Sequence, residues 1–468
     1  MGQILLQINE FVWGVPALAA ILGVGLFLSI RTGFAQLRLL PNGLRLFFKR
    51  MTQRDSDQSG ISPYQAFCTA LGATVGTGNI AGVAGAIAIG GPGAVFWMWI
   101  SALLGMITKY AEALLAVRYQ VTNNEGQMHA GPMYIIKSRM HPKWHSMAYI
   151  YAFLGVVASF GVGNSVQINA VISSIQSVLS TFGGKLNSSW ILFLGLLSAI
   201  LVYLLLIGGA KRVACTAEKL VPIVSLGYIL LCVGVLMARW RVIDDAMNMI
   251  IRGAFSPQAV TGGAVGSVLT AVKTGTSRGV FTNEAGLGTA GIAHGAAKVE
   301  HPALQGVLGI VEVFLDTIVI CTLTALVILC TGIPIEYGRD VGSELTINSF
   351  VNVFGDWITI PLSVITICLA IATVLGWGLY GARCAQFLFG EQSWKTFAGF
   401  HALAAFCGAV LQTPTIWLWA ETMNGLMLLP NLLIIVHSSG TIISLTNEYK
   451  RMLKSERMLR CYRNTILS

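Results

Sequence analysis

The chain has 468 residues, 55% hydrophobic and 11% charged, with mean hydropathy +0.71 and a formal net charge of +10. Soluble domains carry about one quarter charged residues, so this composition excludes a soluble globular protein and points to a polytopic membrane protein. It also excludes a nucleic-acid binder, which needs a basic face on a soluble domain; here the positive charge lies between apolar runs, where it meets anionic lipid headgroups.

Runs long enough to cross a bilayer, about 20 residues each, are predicted at 11–30, 62–90, 92–119, 147–178, 190–208, 213–238, 264–292, 303–330, 358–387, 397–412 and 415–440, an all-α fold of about eleven helices. The first run follows Glu10 rather than a basic segment and has no small-residue cleavage site before Arg31, so it reads as a retained helix. Arg31, Arg38, Arg45, Lys49, Arg50 and Arg54 crowd the first connection, Arg118, Lys137, Arg139 and Lys143 the third, Lys211 and Arg212 the fifth, and Lys298 the seventh. Lys450, Arg451, Lys454, Arg457, Arg460 and Arg463 fill the tail. The other face has Lys185, Arg239, Arg241, Arg252 and Arg339. Basic loops stay in the cytoplasm, so the expected N-terminus is outside and the C-terminus inside.

Inside the second run, residues 71–82 read LGATVGTGNIAG. Gly76 to Ala81 matches a dinucleotide-binding glycine pattern by letter, but no strand precedes it and no acidic residue follows near Trp97 to Ile100. Gly72, Gly76 and Gly78 alternate with β-branched Thr74, Val75 and Thr77, all poor helix formers. One reading is close packing through small residues, as in Gly82-x-x-Gly85. The other is local unwinding, which a membrane tolerates only where backbone is buried in protein or lines a cavity. Freed amides at the second half-helix then suit a carboxylate, and freed carbonyls suit a cation or an ammonium group.

The nine cysteines include no CxxC pair and the seven histidines no HExxH pair, so they read as packing and loop residues; no cofactor is expected. The seventh run is interrupted in turn between Ala271 and Gly286, with Lys273, Arg278 and Glu284 beside the break. Thr274, Gly275 and Thr276 there are candidate substrate contacts. Two broken helices at matching places in two halves mark a secondary transporter built from inverted repeats. Runs two to six and seven to eleven form two sets of five, giving segments 1–60 (first helix and basic loop), 61–240 and 241–440 (the repeats) and 441–468 (basic tail).

GTGNIAGVAGAIAIGGPGAVFWMWI, then Lys109-Tyr110-Ala111-Glu112, GVFTNEAGLGTAGIAHGAA and Phe314-Leu315-Asp316-Thr317 resemble the alanine/glycine:cation symporters, the sodium:alanine symporter family, over nearly the whole chain. The resemblance implies a leucine-transporter-type fold, Na⁺-coupled uptake of small neutral amino acids and a prokaryotic cytoplasmic (inner) membrane. It also implies a pocket in which the first break, Thr74, Gly76, Thr77, Gly78 and Asn79, binds the substrate carboxylate, with Gln167 as a polar contact. Thr373 and Trp377, one turn apart on the ninth run, would meet the ammonium group and cap a small side chain. Sodium would lie between first-break carbonyls, Thr74 and Thr366, since hard cations take oxygen ligands.

Intramembrane charges are functional suspects. Lys109 and Glu112 are spaced to pair, Glu312 and Asp316 lie at i, i+4, and Lys273 or Arg278 is expected to pair with one of the acids Glu112, Glu284, Glu312 or Asp316, forming a gate or fixing the break. A channel wants a continuous polar pore, and an enzyme wants a nucleophile with a base or a metal cluster; neither pattern is visible. Proton coupling through Glu284, Asp316 or Glu112, and glutamine as substrate, are the alternatives within transporters.

Overall fold

The apolar runs fold as helices, and 83% of the chain is helical. In this computed structural model residues 2–52, 60–123, 126–263, 265, 267–339, 342–411 and 414–466 are described; Arg54 lies outside them. Among the described residues the strands form one short hairpin, Val121–Thr122 paired antiparallel with Met128–His129.

The principal helices are α1 (Val15–Thr32), α2 (Pro63–Thr74), α3 (Ala81–Gly90), α4 (Ala94–Arg118), α5 (Ser146–Phe160), α6 (Val166–Thr181), α7 (Ser188–Leu206), α8 (Gly209–Ala238) and α9 (Val268–Asn283). They continue as α10 (Thr289–His294), α11 (Pro302–Val313), α12 (Thr322–Cys330), α13 (Thr359–Phe389), α14 (Ser393–Val410), α15 (Pro414–Leu426), α16 (Leu428–His437) and α17 (Ser439–Ile466). Seven helical segments are long and apolar enough to span a membrane, and two bent pairs bring the number to nine among the described residues. At the expected runs 264–292 and 397–412, the helices Val268–Asn283 and Ser393–Val410 fall short on length or apolarity, so eleven crossings are not reproduced among the described residues. One bent pair is the first predicted break, α2 and the segment from Thr77 to Gly90, which meet at 54°.

The start of α2 is fixed by a capping box: Ser62 Oγ accepts from Gln65 N–H and Gln65 Oε1 accepts from Ser62 N–H, each at 3.1 Å. Its end is set by the glycines, as described below. The two broken helices run antiparallel. A Cβ on Gly78 would meet Thr282, one on Gly90 would meet Thr274, and Ile61 bridges Ala297 at the opposite end. Antiparallel broken helices are what an inverted repeat requires.

The odd-numbered connections gather at one end of the bundle. Lys211 Nζ donates to Gly60 O, Lys450 Nζ to Thr32 O at 2.6 Å, and His301 stacks on Tyr449. There the hairpin is fastened to α13. Buried Arg383 donates to His129 Nε2 at 2.6 Å and to Gln386 Oε1 at 2.9 Å, and lies over the Trp394 ring. Burial, then the Arg383 charge, pushes the His129 imidazole down to about 3, against the pull of Glu391 Oε1 at 3.6 Å. An imidazole freed from this latch titrates near 6.5. Below that pH the open hairpin binds a proton that the closed one refuses, so closure weakens as pH falls from about 6.5 toward 3 and is fully retained above it. Amide exchange across residues 121–129, corrected for intrinsic rates, should therefore quicken between pH 7.5 and 5; equal protection at both would remove His129 from the latch.

Candidate transport site at the two helix breaks

In a continuous helix Gly76 N–H would bond to Gly72 O. Instead it donates to Asn79 Oδ1 at 2.9 Å, and Gly72 O accepts from Thr373 Oγ1 at 3.0 Å. One side chain from within the break and one from α13 thus replace a ladder bond on each side. A single 3₁₀ turn, Thr77–Asn79, follows before α3 resumes. Among the described residues no backbone carbonyl takes the Thr77 or Gly78 N–H, leaving two donors where the chain is unwound. Thr77 Oγ1 donates to Gln167 Oε1 at 3.1 Å. A Cβ on Gly76 would lie 2.6 Å from Thr373 Oγ1 and 3.4 Å from Gln167 Oε1. Gly76, Thr77, Gln167 and Thr373 therefore meet.

Gln167 follows a π-helical turn, Gly161–Ser165, of the sort common at functional sites. Its Nε2 donates to Val162 O at 3.2 Å. Gly163 in that turn leaves the space that the Trp377 side chain fills. Phe160 turns away and stacks on Phe397 at 5.3 Å.

The second break lies further along the chain than expected. Residues 268–283 are unbroken helix, and the chain leaves it at Glu284 (φ 56°), Gly286 (φ 105°) and Gly288 (φ 79°). Thr274, Gly275 and Thr276 sit inside α9, level with the far end of α3. Gly275 there admits Ala94 and Trp97, and Gly279 admits Ser101. These small residues allow close helix packing and, against the expectation from the sequence, all three lie away from the first break. Phe281 and Thr282, which the sequence reading passed over, are the α9 side chains that approach Gly78.

The unwound backbone at 284–288 is held by carboxylates and amides. Glu112 Oε1 accepts from Gly286 N–H at 2.8 Å, Gly288 N–H at 3.1 Å and Asn431 Nδ2 at 2.7 Å. Asn431 Nδ2 also reaches Gly286 O at 2.8 Å, and Tyr151 donates to Leu287 O at 2.9 Å. Lys109 does not pair with Glu112. Its Nζ lies 3.2 Å from Glu312 Oε1, fully buried, while Glu312 Oε2 faces His294 Nε2 at 2.9 Å. The expected pairing of Lys273 or Arg278 with these acids is overturned as well: Lys273 is exposed, and Arg278 points to Glu421 at 4.0 Å.

Asp316 joins the two breaks. A π-helical turn, Phe314–Cys321, turns it inward, where Oδ1 accepts from Asn79 Nδ2 at 2.7 Å and Oδ2 from Thr317 Oγ1 at 2.7 Å. Thr317 Oγ1 accepts from Asn283 Nδ2 at 3.1 Å, and Asn283 Oδ1 accepts from Ala285 N–H at 3.0 Å. Asn79 is thus turned toward Asp316.

Thr366 Oγ1 bonds back to Leu362 O at 2.9 Å, two turns from the contact of Thr373 with Gly72. The oxygens converging beside the first break are instead Thr373 Oγ1, Gly72 O and Leu369 O, the last 3.1 Å from that hydroxyl. Thr74 Oγ1 is used within its own helix, 3.1 Å from Leu71 O.

A family model described as the sodium:alanine symporter family matches residues 1–462. The chain belongs to the sodium:alanine symporter family. This symporter-family chain is 40% identical over 456 residues to the "Sodium/alanine symporter AgcS" of Methanococcus maripaludis, covering 96% of this chain and 97% of that protein. It is 33% identical to the "Probable sodium/glutamine symporter GlnT" of Bacillus subtilis, covering 97% and 93%. The crystal structure of MhsT in complex with L-phenylalanine matches with TM-score 0.58 at 13% identity, over 82% of this chain and 97% of that one. That likeness gives the fold, the leucine-transporter type. A sodium:alanine symporter family member with this fold is a secondary active transporter.

Proposed function

We propose that the protein imports a small neutral amino acid, alanine or glycine, together with Na⁺ through a prokaryotic cytoplasmic membrane, with its N-terminus outside and its C-terminus inside. The two repeats, 61–240 and 241–440, rock around the breaks. The observation that carries this reading is the first break, where among the described residues the Thr77 and Gly78 N–H groups have no backbone acceptor and the unwound segment meets Gln167 and Thr373 through Gly76 and the Thr77 hydroxyl. The amides receive the substrate carboxylate, Trp377 limits the side chain, and Na⁺ takes the carbonyl and hydroxyl oxygens around Thr373. The sidedness rests on the basic loops, which gather at one end.

One Na⁺ entering across about 100 mV yields about 2.3 kcal/mol, and a tenfold gradient adds about 1.4 kcal/mol. Together these sustain several-hundred-fold accumulation of a neutral solute, so one coupled ion is enough. The test is uptake of labelled L-alanine into vesicles of purified protein, with an inward Na⁺ gradient against a K⁺ control at fixed pH. Accumulation that needs Na⁺ and is competed by glycine is expected. Uptake that ignores Na⁺ but collapses with the pH gradient would move the ion to H⁺, and uptake of glutamine alone would move the substrate.

A further inference from the structure

Glu284 sits where an apolar helix has no use for a carboxylate. It is the first residue of the second break and holds a left-handed backbone (φ 56°, ψ 17°) that a residue with a Cβ adopts only at a cost. Its buried carboxylate has both oxygens committed. Oε1 accepts from Trp377 Nε1 at 2.8 Å and Oε2 from Thr289 Oγ1 at 2.6 Å. Trp377 has its Cβ against Gly163 and its ring edge-on to Tyr380 at 5.7 Å. The single polar handle of the indole is thus tied to the second break and not to its own helix.

We propose that Glu284 is the positioning residue for Trp377, so that the fold of residues 284–289 sets the indole over the substrate side chain and with it the affinity and size limit of the pocket. The inference rests on the reading of Trp377 as a pocket wall. Glu284 Oε1 holds the indole N–H, so a movement of this segment carries the ring with it. Closing the second break and capping the substrate become one event.

The experiment is a cycle of Glu284→Ala, Trp377→Phe and the double variant, with Glu284→Gln as the conservative control. Initial rates of Na⁺-driven L-alanine uptake are resolved into KM and Vmax, and thermal midpoints are measured on each protein. Phenylalanine at 377 lacks the N–H, and glutamine at 284 keeps an oxygen to accept it. Glu284→Ala and Trp377→Phe should each raise KM about tenfold, as loss of a buried hydrogen bond to a carboxylate does, with Vmax changing less. The double variant should be no worse than either single, Glu284→Gln should stay within about threefold, and Glu284→Ala should become open to competition by larger neutral amino acids.

Multiplying losses in the double, an unchanged KM in Glu284→Ala, or a Glu284→Gln as impaired as Glu284→Ala would each overturn the proposal. Should Glu284→Ala fail to fold, Thr289→Val, which frees the other carboxylate oxygen, takes its place with the same expected pattern. Wild-type protein that imports glutamine and not alanine overturns the substrate reading alone, and the cycle is then read with glutamine. Trp377→Phe and Trp377→Ala with wild-type KM and selectivity remove Trp377 from the pocket, and the proposal with it.

Discussion

Replacing Lys109 by methionine should destabilise the protein by about 3–5 kcal/mol, the usual loss when one member of a buried ion pair is left alone. Lys109 Nζ is the cation 3.2 Å from Glu312, and neither side chain is accessible to solvent. Folded proteins hold only about 5–15 kcal/mol in total, so yield and thermal midpoint in detergent should both fall sharply. Lys109→Met/Glu312→Met removes both charges and should recover most of the midpoint. His294 then loses its acceptor, so recovery stays incomplete. A single variant as stable as wild type, or a double as poor as the two singles combined, would show that the pair does not neutralise itself.

Gly76→Leu should abolish uptake while the protein still folds. Even the Cβ of alanine would lie 2.6 Å from Thr373 Oγ1, so Gly76→Ala must displace the α13 hydroxyl that replaces the missing ladder bond at Gly72. Overpacking of this kind costs about 1–3 kcal/mol, which predicts roughly a tenfold to hundredfold loss of uptake for alanine and more for leucine. Wild-type transport by Gly76→Leu, at an unchanged thermal midpoint, would reduce the first break to helix packing.

The first break was legible because its signal is local. Gly72, Gly76 and Gly78 sit among β-branched residues, and the same stretch supplies Asn79, whose side chain takes the displaced Gly76 N–H. The second break was misplaced by the same rule. Thr274, Gly275, Thr276, Ser277 and Gly279 look like poor helix formers, yet packing of Gly275 and Gly279 on α4 holds them helical. Tertiary contact overrides propensity there. The break itself is made by Glu284, Gly286 and Gly288, whose partners Glu112, Asn431 and Trp377 lie far away in the chain. Charge pairing failed for a related reason: spacing within a helix puts Lys109 near Glu112, while the acid that Lys109 meets comes from α11. Thr366 bonds back within its own helix while Thr373 meets the first break, because a hydroxyl's neighbours depend on which helix crosses it, and the sequence does not record the crossing.

Asp316 has a mechanical consequence. Both its oxygens are occupied in a chain of hydrogen bonds from Gly76 through Asn79, Thr317 and Asn283 to Ala285. Pulling the breaks apart would strand several buried polar groups at once, whereas turning both together keeps this chain of bonds intact. The breaks are therefore a rigid yoke. Spectroscopic labels placed one beside each break should keep a narrow, unchanging separation through the transport cycle.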